Sequence, residues 1–352
     1  MTMTLPRWRS AFLAAATVIA GLILTACSPA TTPAPSSDAT SATASSDPTA
    51  APSSDGATRV VSTAQGDVTI PTNPEKIVVV NADLTGYLYA LDIPVYASYG
   101  QANISDSGYP SWAEHAERDA TQVIEGFSED GMNVEEILAL DPDLIVGGGQ
   151  GLIGSNARDA YDELSKVAPT VLVGTDALTW QDHLSFFADV FDVADREAEL
   201  VNTFNARVTE VSAAITLPEN PVAYLMLLEN GDPFLLPEDS DLPQLLAQLG
   251  FEPDTVVADH PEYADAAFGS GDTIELSREQ VIEAFTAPTL IYLGWQGGDI
   301  VKPAPDALTG DPIYSTLPAV KSGNAFELPY WAFRTDYLRS LALLDLIEEQ
   351  FS

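Results

Sequence analysis

Short apolar runs alternate with helical patterns from about Arg59 to the end of the chain, and this alternation constrains the fold most strongly. Strands that are apolar throughout are typical of parallel sheets covered by helices on both faces. Hydrophobic residues make up 46% of the 352 residues, enough for the cores that such sheets need. We predict strands at Lys76–Val80, from Val95, and at Asp143–Val146, Thr170–Val173, Val222–Leu228, Leu290–Leu293 and Ala325–Leu328, and helices ending at Val167 and spanning Trp180–Phe191 and Asp195–Ile215. The sequence therefore predicts an α/β protein.

One segment of the pattern occurs twice. Asn133 and Ser277 each begin a capping-box sequence, with Glu or Gln at the third helical position, and a proline and an apolar strand follow each helix. The copies lie 144 residues apart, from Glu135 to Glu279. We predict two Rossmann-like lobes, each with a mainly parallel sheet flanked by helices, joined by one long connecting helix. The boundaries are 1–27 for a signal peptide, 28–58 for a disordered linker, 59–177 for the N-terminal lobe, 178–217 for the helical connector and 218–352 for the C-terminal lobe.

The first 27 residues have the features of an export signal. Arg7 and Arg9 precede an apolar run of 16 residues, Ala11–Ala26, which is shorter than the ~20 residues of a spanning helix. The run ends in Leu-Thr-Ala-Cys27, which resembles a bacterial lipobox and predicts lipidation of Cys27; the alternative is an ordinary signal peptide with an incidental cysteine. The Ser-, Thr-, Ala- and Pro-rich linker that follows would reach roughly 30 Å as a coil. We expect an exported protein anchored to the outer face of the cell membrane.

Composition excludes several classes of function. The chain carries 52 acidic and 14 basic side chains, so its formal charge is −38, and −40 once Arg7 and Arg9 are removed with the signal. This charge repels nucleic acid and anionic lipid. A single cysteine and three histidines leave little from which to build a protein metal site. No catalytic nucleophile with a paired base stands out, so we expect no enzyme, no cofactor and no metal ligands.

Four motifs carry a resemblance to a known family. They are PTNPEKIV at Pro71–Val78, NVEEILALDPDLIV at Asn133–Val146, LSKVAPT at Leu164–Thr170 and LPAVKSGNA at Leu317–Ala325. The chain resembles the class III substrate-binding lipoproteins of ABC importers for ferric siderophores, haem and cobalamin, although Asp141 stands where a basic residue is more usual. The resemblance implies a monomer that captures a ferric chelate between two lobes and delivers it to an ABC permease dimer. Iron would be present only as part of the chelate, and the stiff connector would limit closure.

The ligand site is expected between the lobes, outside the carboxyl ends of the parallel strands. Residues at or beyond these ends are rich in aromatic and amide side chains, which suit a bulky, semi-polar ligand. For each tryptophan, packing in a core is the alternative. The candidate ligand-binding residues are Tyr99, Trp112, Gln150, Trp295, Gln296, Tyr330, Trp331 and Arg334.

The charge of the chain favours one class of chelate. Only Arg334, with Arg118 and Arg158 as further candidates, is basic near the expected cleft. A trianionic catecholate complex would meet an unfavourable field and few charge-assisted donors. We therefore favour a neutral or cationic hydroxamate, with haem or cobalamin on the same scaffold as the alternative.

Two further features of the sequence suggest other functions. Gly149-Gln-Gly151-Leu-Ile-Gly154 follows a strand and opens a helix, so it matches the dinucleotide fingerprint and makes an NAD-dependent enzyme the alternative from another class. It lies deep within the lobe instead of in its first strand-turn-helix unit, and an exported lipoprotein meets no nicotinamide pool. The histidines, His115, His183 and His260, resemble those of metal receptors only in type, and we expect exposed or capping roles for them.

Glu135 and Glu279 are predicted to dock the permease. Each is the second residue of a capped helix whose apolar face begins two residues later, so the carboxylate points outward. The alternative is that each merely complements its helix dipole. Their recurrence once per lobe favours docking, because a two-fold symmetric partner requires one contact per lobe. The resemblance also places them at the family's two lobe-tip glutamates.

Overall fold

The computed structural model of the protein describes residues 56–99, 121–124, 132–228, 230–266, 271–294, 308 and 310–352. The expected signal peptide with Cys27, most of the linker, and the candidates Trp112, Trp295 and Gln296 lie outside these residues. Within the described ranges, no helix is both long and apolar enough to cross a membrane.

An antiparallel hairpin, β1 Thr58–Thr63 and β2 Gly66–Pro71, precedes a sheet of five strands in the N-terminal lobe. The strands are β3 Ile77–Val79, β4 Ala97–Tyr99, β5 Gln122–Ile124, β6 Leu144–Gly148 and β7 Thr170–Val173, with helices α1 Thr85–Ala90, α2 Val134–Ala139, α3 Gly151–Asp159 and α4 Tyr161–Val167. Their order is β5–β4–β3–β6–β7, and all pairings are parallel. Parallel neighbours need crossover connections, which the helices provide.

The connector consists of α5 Trp180–Phe191 and α6 Ala194–Ala214. A capping box starts α5, in which Thr179 accepts from the Asp182 amide and Asp182 accepts from the Thr179 amide. Asp192 ends it in the left-handed conformation, with φ of 57°. At 21 residues and 1.5 Å per residue, α6 extends about 30 Å and forms the long helix that the sequence predicts.

The C-terminal lobe has a mixed sheet of five strands. They are β8 Val222–Leu227, β9 Pro233–Leu235, β10 Ile274–Glu275, β11 Thr289–Gly294 and β12 Ala325–Pro329, with helices α7 Asp241–Ala247, α8 Val256–Asp259, α9 Arg278–Ala284, α10 Pro318–Ser322 and α11 Tyr337–Phe351. In the order β10–β9–β8–β11–β12, the pairs β8–β11 and β11–β12 are parallel, whereas β8–β9 and β9–β10 are antiparallel.

The described residues form three hydrophobic cores: one is shared by both lobes, and each lobe has an outer core of its own. Side chains alternate between the faces of each sheet, so Val79 packs in a central core and Val78 in the outer core of the N-terminal lobe. In the C-terminal lobe, Tyr224 lies in the same central core and Leu225 in a second outer core. We call the shared cluster the central core. Because it joins both sheets to α5, α6 and α11, the lobes do not pack as independent bodies.

The fold class is confirmed: two sheet-based lobes are joined by one long helix. The expected boundaries between the segments remain a prediction. Several details differ from expectation. The strands β1, β2, β5, β9 and β10 were not predicted, and the C-terminal sheet is mixed instead of mainly parallel. The strand expected from Val95 begins at Ala97, the helix ending at Val167 is two helices separated at Ala160, and α11 was not predicted.

Candidate functional site

Residues that follow β3, β6 and β12 meet in one cavity between the lobes. Asn81 and Gln150 come from the N-terminal lobe, and Arg334 comes from the C-terminal lobe. Its polar lining also includes Asp83, Thr179, His183, Asp241, Asp272, Thr335 and Arg339. The cavity encloses about 30 Å³, room for one or two water molecules and no organic ligand. The described residues therefore form a polar base to the cleft.

Two basic side chains line this base. Arg339 is buried and lies 3.7 Å from the carboxylates of Asp83 and Asp336. Arg334 makes the closer ion pair. Its Nε and Nη2 donate to the two carboxylate oxygens of Asp272 at 2.5 and 3.1 Å, a bidentate arrangement. The Arg334 side chain is 23% exposed, and that of Asp272 only 5%. Burial alone lowers the pKa of Arg334, but the charge and hydrogen bonds of Asp272 outweigh it and raise that pKa above its usual range. Arg334 is therefore a cation that is fixed in orientation and largely neutralised.

Arg334 also spans the gap between the lobes. A Cβ added to Gly151, the first residue of α3, would lie 2.7 Å from Nη1 of Arg334. Gly151 has φ of +72°, so both its conformation and this close approach require glycine. Nη1 thus lies against the N-terminal lobe while the other two nitrogens hold Asp272.

The glycine-rich loop of the N-terminal lobe is held by its own side chains. Asn81 donates through Nδ2 to the Gly148 carbonyl at 2.8 Å, and Arg158 donates to the Gly149 carbonyl at 2.7 Å. Gln150 is buried and donates through Nε2 to the carbonyl of Ala177. Burial lowers the pKa of Arg158. The loop that matched the dinucleotide fingerprint is therefore packed against this chain's own groups.

Four residues make direct polar contacts between segments, and we call them the interlobe seam: Tyr87, Trp180, Asp241 and Thr335. The Tyr87 hydroxyl donates to the Thr335 carbonyl at 2.6 Å. Asp241 accepts from the Trp180 amide at 2.8 Å, and from the amide and hydroxyl of Thr335 at 2.7 and 2.6 Å. Burial raises the pKa of Asp241 from 3.8 to about 6, although these hydrogen bonds act in the opposite direction.

His183 packs beside the seam and is not exposed. Its ring stacks on Tyr87 with centroids 5.1 Å apart, and its Nδ1 lies 2.9 Å from the carbonyl of Thr179. Burial lowers the pKa of His183, so the ring is neutral at physiological pH. His260 stacks on Tyr263 and lies 3.4 Å from Glu262. The expected exposed or capping role is therefore wrong for His183, which fills a buried site.

Of the candidate ligand residues, the structure brings Gln150 and Arg334 together. Tyr330 is half-buried and packs on Phe333, and burial raises the pKa of its phenol. Tyr99 and Trp331 are buried instead, Tyr99 in the N-terminal outer core and Trp331 in the central core. Their ligand role, like those of Trp112, Trp295 and Gln296 outside the described residues, stays a prediction.

Two acidic residues of the site were missed. Asp272 stands in a glycine- and serine-rich loop, and nothing in that local sequence indicates a partner for Arg334. Asp241 follows Ser240 at the start of α7, where an acidic residue usually serves the helix itself. Only tertiary contacts distinguish these aspartates from the other acidic residues.

The two candidate docking glutamates occupy equivalent places. Asn133 caps α2 by accepting from the Glu136 amide, and Ser277 and Gln280 form a complete capping box on α9. Glu135 and Glu279 are exposed, and no hydrogen bond or ion pair of either carboxylate occurs among the described residues. Their neighbour Arg278 is engaged elsewhere, with Asp311.

Comparison with known proteins gives the relationship. Residues 77–330 match the family model described as Periplasmic binding protein. The ferric enterobactin-binding periplasmic protein FepB of Escherichia coli O6:H1 is 28% identical, over 83% of this chain and 91% of that protein. The probable siderophore-binding lipoprotein YfiY of Bacillus subtilis is 31% identical, over 84% and 88%. The iron(3+)-hydroxamate-binding protein FhuD of Bacillus subtilis is 23% identical, over 82% and 84%.

Solved structures share the fold. Holo-ViuP superposes with a TM-score of 0.70 at 21% identity, covering 84% of this chain and 95% of that one. The triscatecholate siderophore-binding protein FeuA of Bacillus subtilis, complexed with ferri-bacillibactin, gives a TM-score of 0.59 at 15% identity, covering 83% and 97%. At these identities the likeness concerns the architecture.

Proposed function

The chain belongs to the periplasmic binding protein family, and from this premise we propose that it captures a ferric siderophore between its lobes and delivers it to an ABC permease dimer. The supporting observation is the meeting of Gln150 and Arg334, from opposite lobes, beyond the carboxyl ends of the parallel strands. The family consists of binding proteins and not enzymes, so the NAD-dependent alternative is set aside.

The ligand contacts proposed are those of a cleft that extends outward from Gln150 and Arg334. Tyr330 lies near Arg334, whose charge acts on its phenol. Trp112, Trp295 and Gln296 are assigned from sequence position, as are Tyr99 and Trp331. Aromatic and amide groups around two arginines that lie beside carboxylates suit a large chelate with a mixed polar and apolar surface.

A hydroxamate chelate is the finer proposal. Arg334 is paired with Asp272, and Arg158 donates to a backbone carbonyl. Arg339 lies 3.7 Å from the carboxylates of Asp83 and Asp336, so none of the three arginines is an uncompensated cation. A complex with three negative charges would gain little here and would meet the field of a strongly acidic protein. The relatives include both kinds of protein: FepB is described as ferric enterobactin-binding and FhuD as iron(3+)-hydroxamate-binding. The panel below separates the two.

The test is quenching of intrinsic tryptophan fluorescence by ferrichrome, ferric enterobactin, haem and cobalamin. We expect saturable quenching by ferrichrome at the lowest concentration. Tighter binding of ferric enterobactin than of ferrichrome would contradict the hydroxamate preference, but the proposal that the protein binds a ferric siderophore would stand. Saturation by haem or cobalamin alone would contradict both.

A matched pair of arginine variants tests the site itself. Arg334→Gln removes one of the two arginine charges at the base of the cleft, and we expect at least a tenfold loss of affinity, the scale of one charge-assisted hydrogen bond. Arg207→Gln removes an arginine that pairs with Asp345 and Glu348 on the outer side of α6 and α11, and it should leave affinity unchanged. Thermal unfolding of both variants checks that the fold is kept. Equal affinities would remove Arg334 from the site.

Glu135 and Glu279 are proposed to contact the permease, one carboxylate for each half of a two-fold partner. Replacing both with Ala should leave chelate affinity unchanged and lower import. Glu136→Ala with Glu283→Ala is the control, because these residues lie on the same two helices. Import at the wild-type rate by the first pair would leave only the helix-dipole role.

Cys27 is proposed as the lipid anchor of an exported protein. The relative YfiY is described as a lipoprotein, which supports this reading. Cys27→Ser should release the protein from the membrane fraction and abolish labelling by a palmitate analogue. Retention of the variant in that fraction would contradict anchoring through Cys27.

A further inference from the structure

Two exposed apolar side chains recur at equivalent positions of the sequence repeat. Leu138 on α2 is 58% exposed, and Ile282 on α9 is 50% exposed. Each lies three residues after a candidate docking glutamate, Glu135 or Glu279. Single exposed apolar residues are common and need no explanation. Here the same combination occurs once in each lobe, 144 residues apart, and chance does not readily explain it.

A buried side chain on each helix packs into the outer core of its lobe, so the opposite face of the helix is the outward one. Ile137 is fully buried in the N-terminal outer core, and Val281 is fully buried in the outer core of the C-terminal lobe. Leu138 and Ile282 follow them, about 100° further around each helix, and their exposure shows that they face solvent. Capping by Asn133 on α2 matches the capping box on α9.

On each helix the carboxylate and the apolar side chain are neighbours. Residues three apart lie on one face, and helical side chains lean toward the N-terminus. Leu138 therefore covers the turn that carries Glu135, and Ile282 covers the turn that carries Glu279. Each lobe presents an exposed carboxylate with an apolar side chain directly beside it.

We propose that Leu138 and Ile282 add an apolar contact to each half of the permease interface, beside the proposed docking residues Glu135 and Glu279. The proposal rests on the proposed function and deepens it. The partner is a membrane protein with two-fold related subunits, each presenting a basic side chain next to an apolar hollow. Attraction between opposite charges brings the surfaces together, and burial of the apolar side chain slows dissociation.

Two other occupants fit the surface less well. A membrane surface rich in anionic lipid is repelled by a chain of formal charge −38. A second copy docked through the same faces would place carboxylates against each other, because a two-fold contact uses the same surface of both copies and each face carries a glutamate. A permease with basic groups avoids both penalties.

The experiment measures binding to the permease complex of the source organism, held in lipid nanodiscs, by surface plasmon resonance. We expect Leu138→Gln or Ile282→Gln to weaken binding roughly fivefold to tenfold, and the double variant roughly the product, because the sites are in separate lobes. Most of the loss should be in the dissociation rate. Val60→Gln, which changes a side chain 64% exposed on the hairpin, is the control.

The dependence of binding on salt concentration distinguishes the charged part of each contact from the apolar part. Permease binding by the double variant Glu135→Ala/Glu279→Ala should lose most of its dependence on salt concentration. The double variant Leu138→Gln/Ile282→Gln should bind more weakly but keep the wild-type dependence on salt. If the glutamate pair weakens binding and the apolar pair does not, the present inference is wrong and the docking proposal stands. If neither pair changes binding, both are wrong. Self-association of the wild-type chain that Leu138→Gln abolishes would also overturn the inference.

Discussion

Asp241 provides the sharpest test of the interlobe seam. Its carboxylate is 5% exposed and accepts hydrogen bonds from both Trp180 and Thr335. Replacement by Asn keeps the shape of the side chain and removes its titration. The NH2 group must then face one of two backbone N–H groups, so the variant also loses an acceptor at every pH.

The raised pKa of Asp241 fixes the sign and size of the effect. The folded protein holds the proton up to a pKa of about 6, whereas the unfolded chain releases it near 3.8. The contribution to stability is therefore fully present below pH 3.8 and is lost as the pH rises through 6. The gap corresponds to about 3 kcal/mol, of which about 1.4 kcal/mol falls between pH 5.0 and 7.5.

Urea unfolding at pH 5.0 and 7.5 measures this contribution. We expect the wild type to gain about 1.4 kcal/mol more than Asp241→Asn on going from pH 7.5 to 5.0. Asp239→Asn is the control, because that aspartate is exposed and lies two residues earlier. Its pH dependence should follow the wild type. Parallel curves for the wild type and Asp241→Asn would refute the reasoning.

Three other substitutions have defined outcomes in thermal or urea unfolding. Gly86→Ala places a Cβ onto the carboxylate of Asp336, the N-cap of α11, and only 3.0 Å from its Cβ, so we expect a loss of about 1–3 kcal/mol. In Gly154→Ala the added Cβ overlaps the Gly149 carbonyl, so we expect a similar or larger loss of unfolding free energy. A variant as stable as the wild type would show that the loop moves aside at little cost. Ser277→Ala removes the capping box of α9 and should cost about 1 kcal/mol, with no change if the helix is held by tertiary packing alone.

Sequence patterns predict the parts of the fold whose signals are local. Parallel strands such as β6 and β11 are apolar throughout, and capping residues mark the starts of α2 and α9. The antiparallel strands β9 and β10 contain three and two residues, too few to show a period. The C-terminal helix α11 did have a signal, Asp336 as N-cap followed by leucines at helical spacing, although it was not predicted.

The site is less accessible to sequence reasoning than the fold. Arg334 and Gln150 were expected because residues after parallel strands converge at one edge. Asp272 and Asp241 come from a loop and a helix start that no period connects to the cleft. Tyr99 ends β4, as a cleft residue would, yet its side chain turns toward the outer core because strand side chains alternate between faces. The position of a residue along its strand therefore predicts which edge of the sheet it reaches. Which face its side chain points to depends on the alternation along the strand, and for Tyr99 that face is the outer core.

The shared central core has a consequence for the proposed import process. Because both lobes share it, we expect loaded and empty molecules to keep their docking faces at nearly the same separation. A permease that contacts only those faces then binds both forms with nearly equal affinity. Under the proposed function, empty protein then competes with loaded protein for the permease. Import should therefore peak when the amounts of binding protein and chelate are comparable, and it should fall again as the binding protein exceeds its ligand.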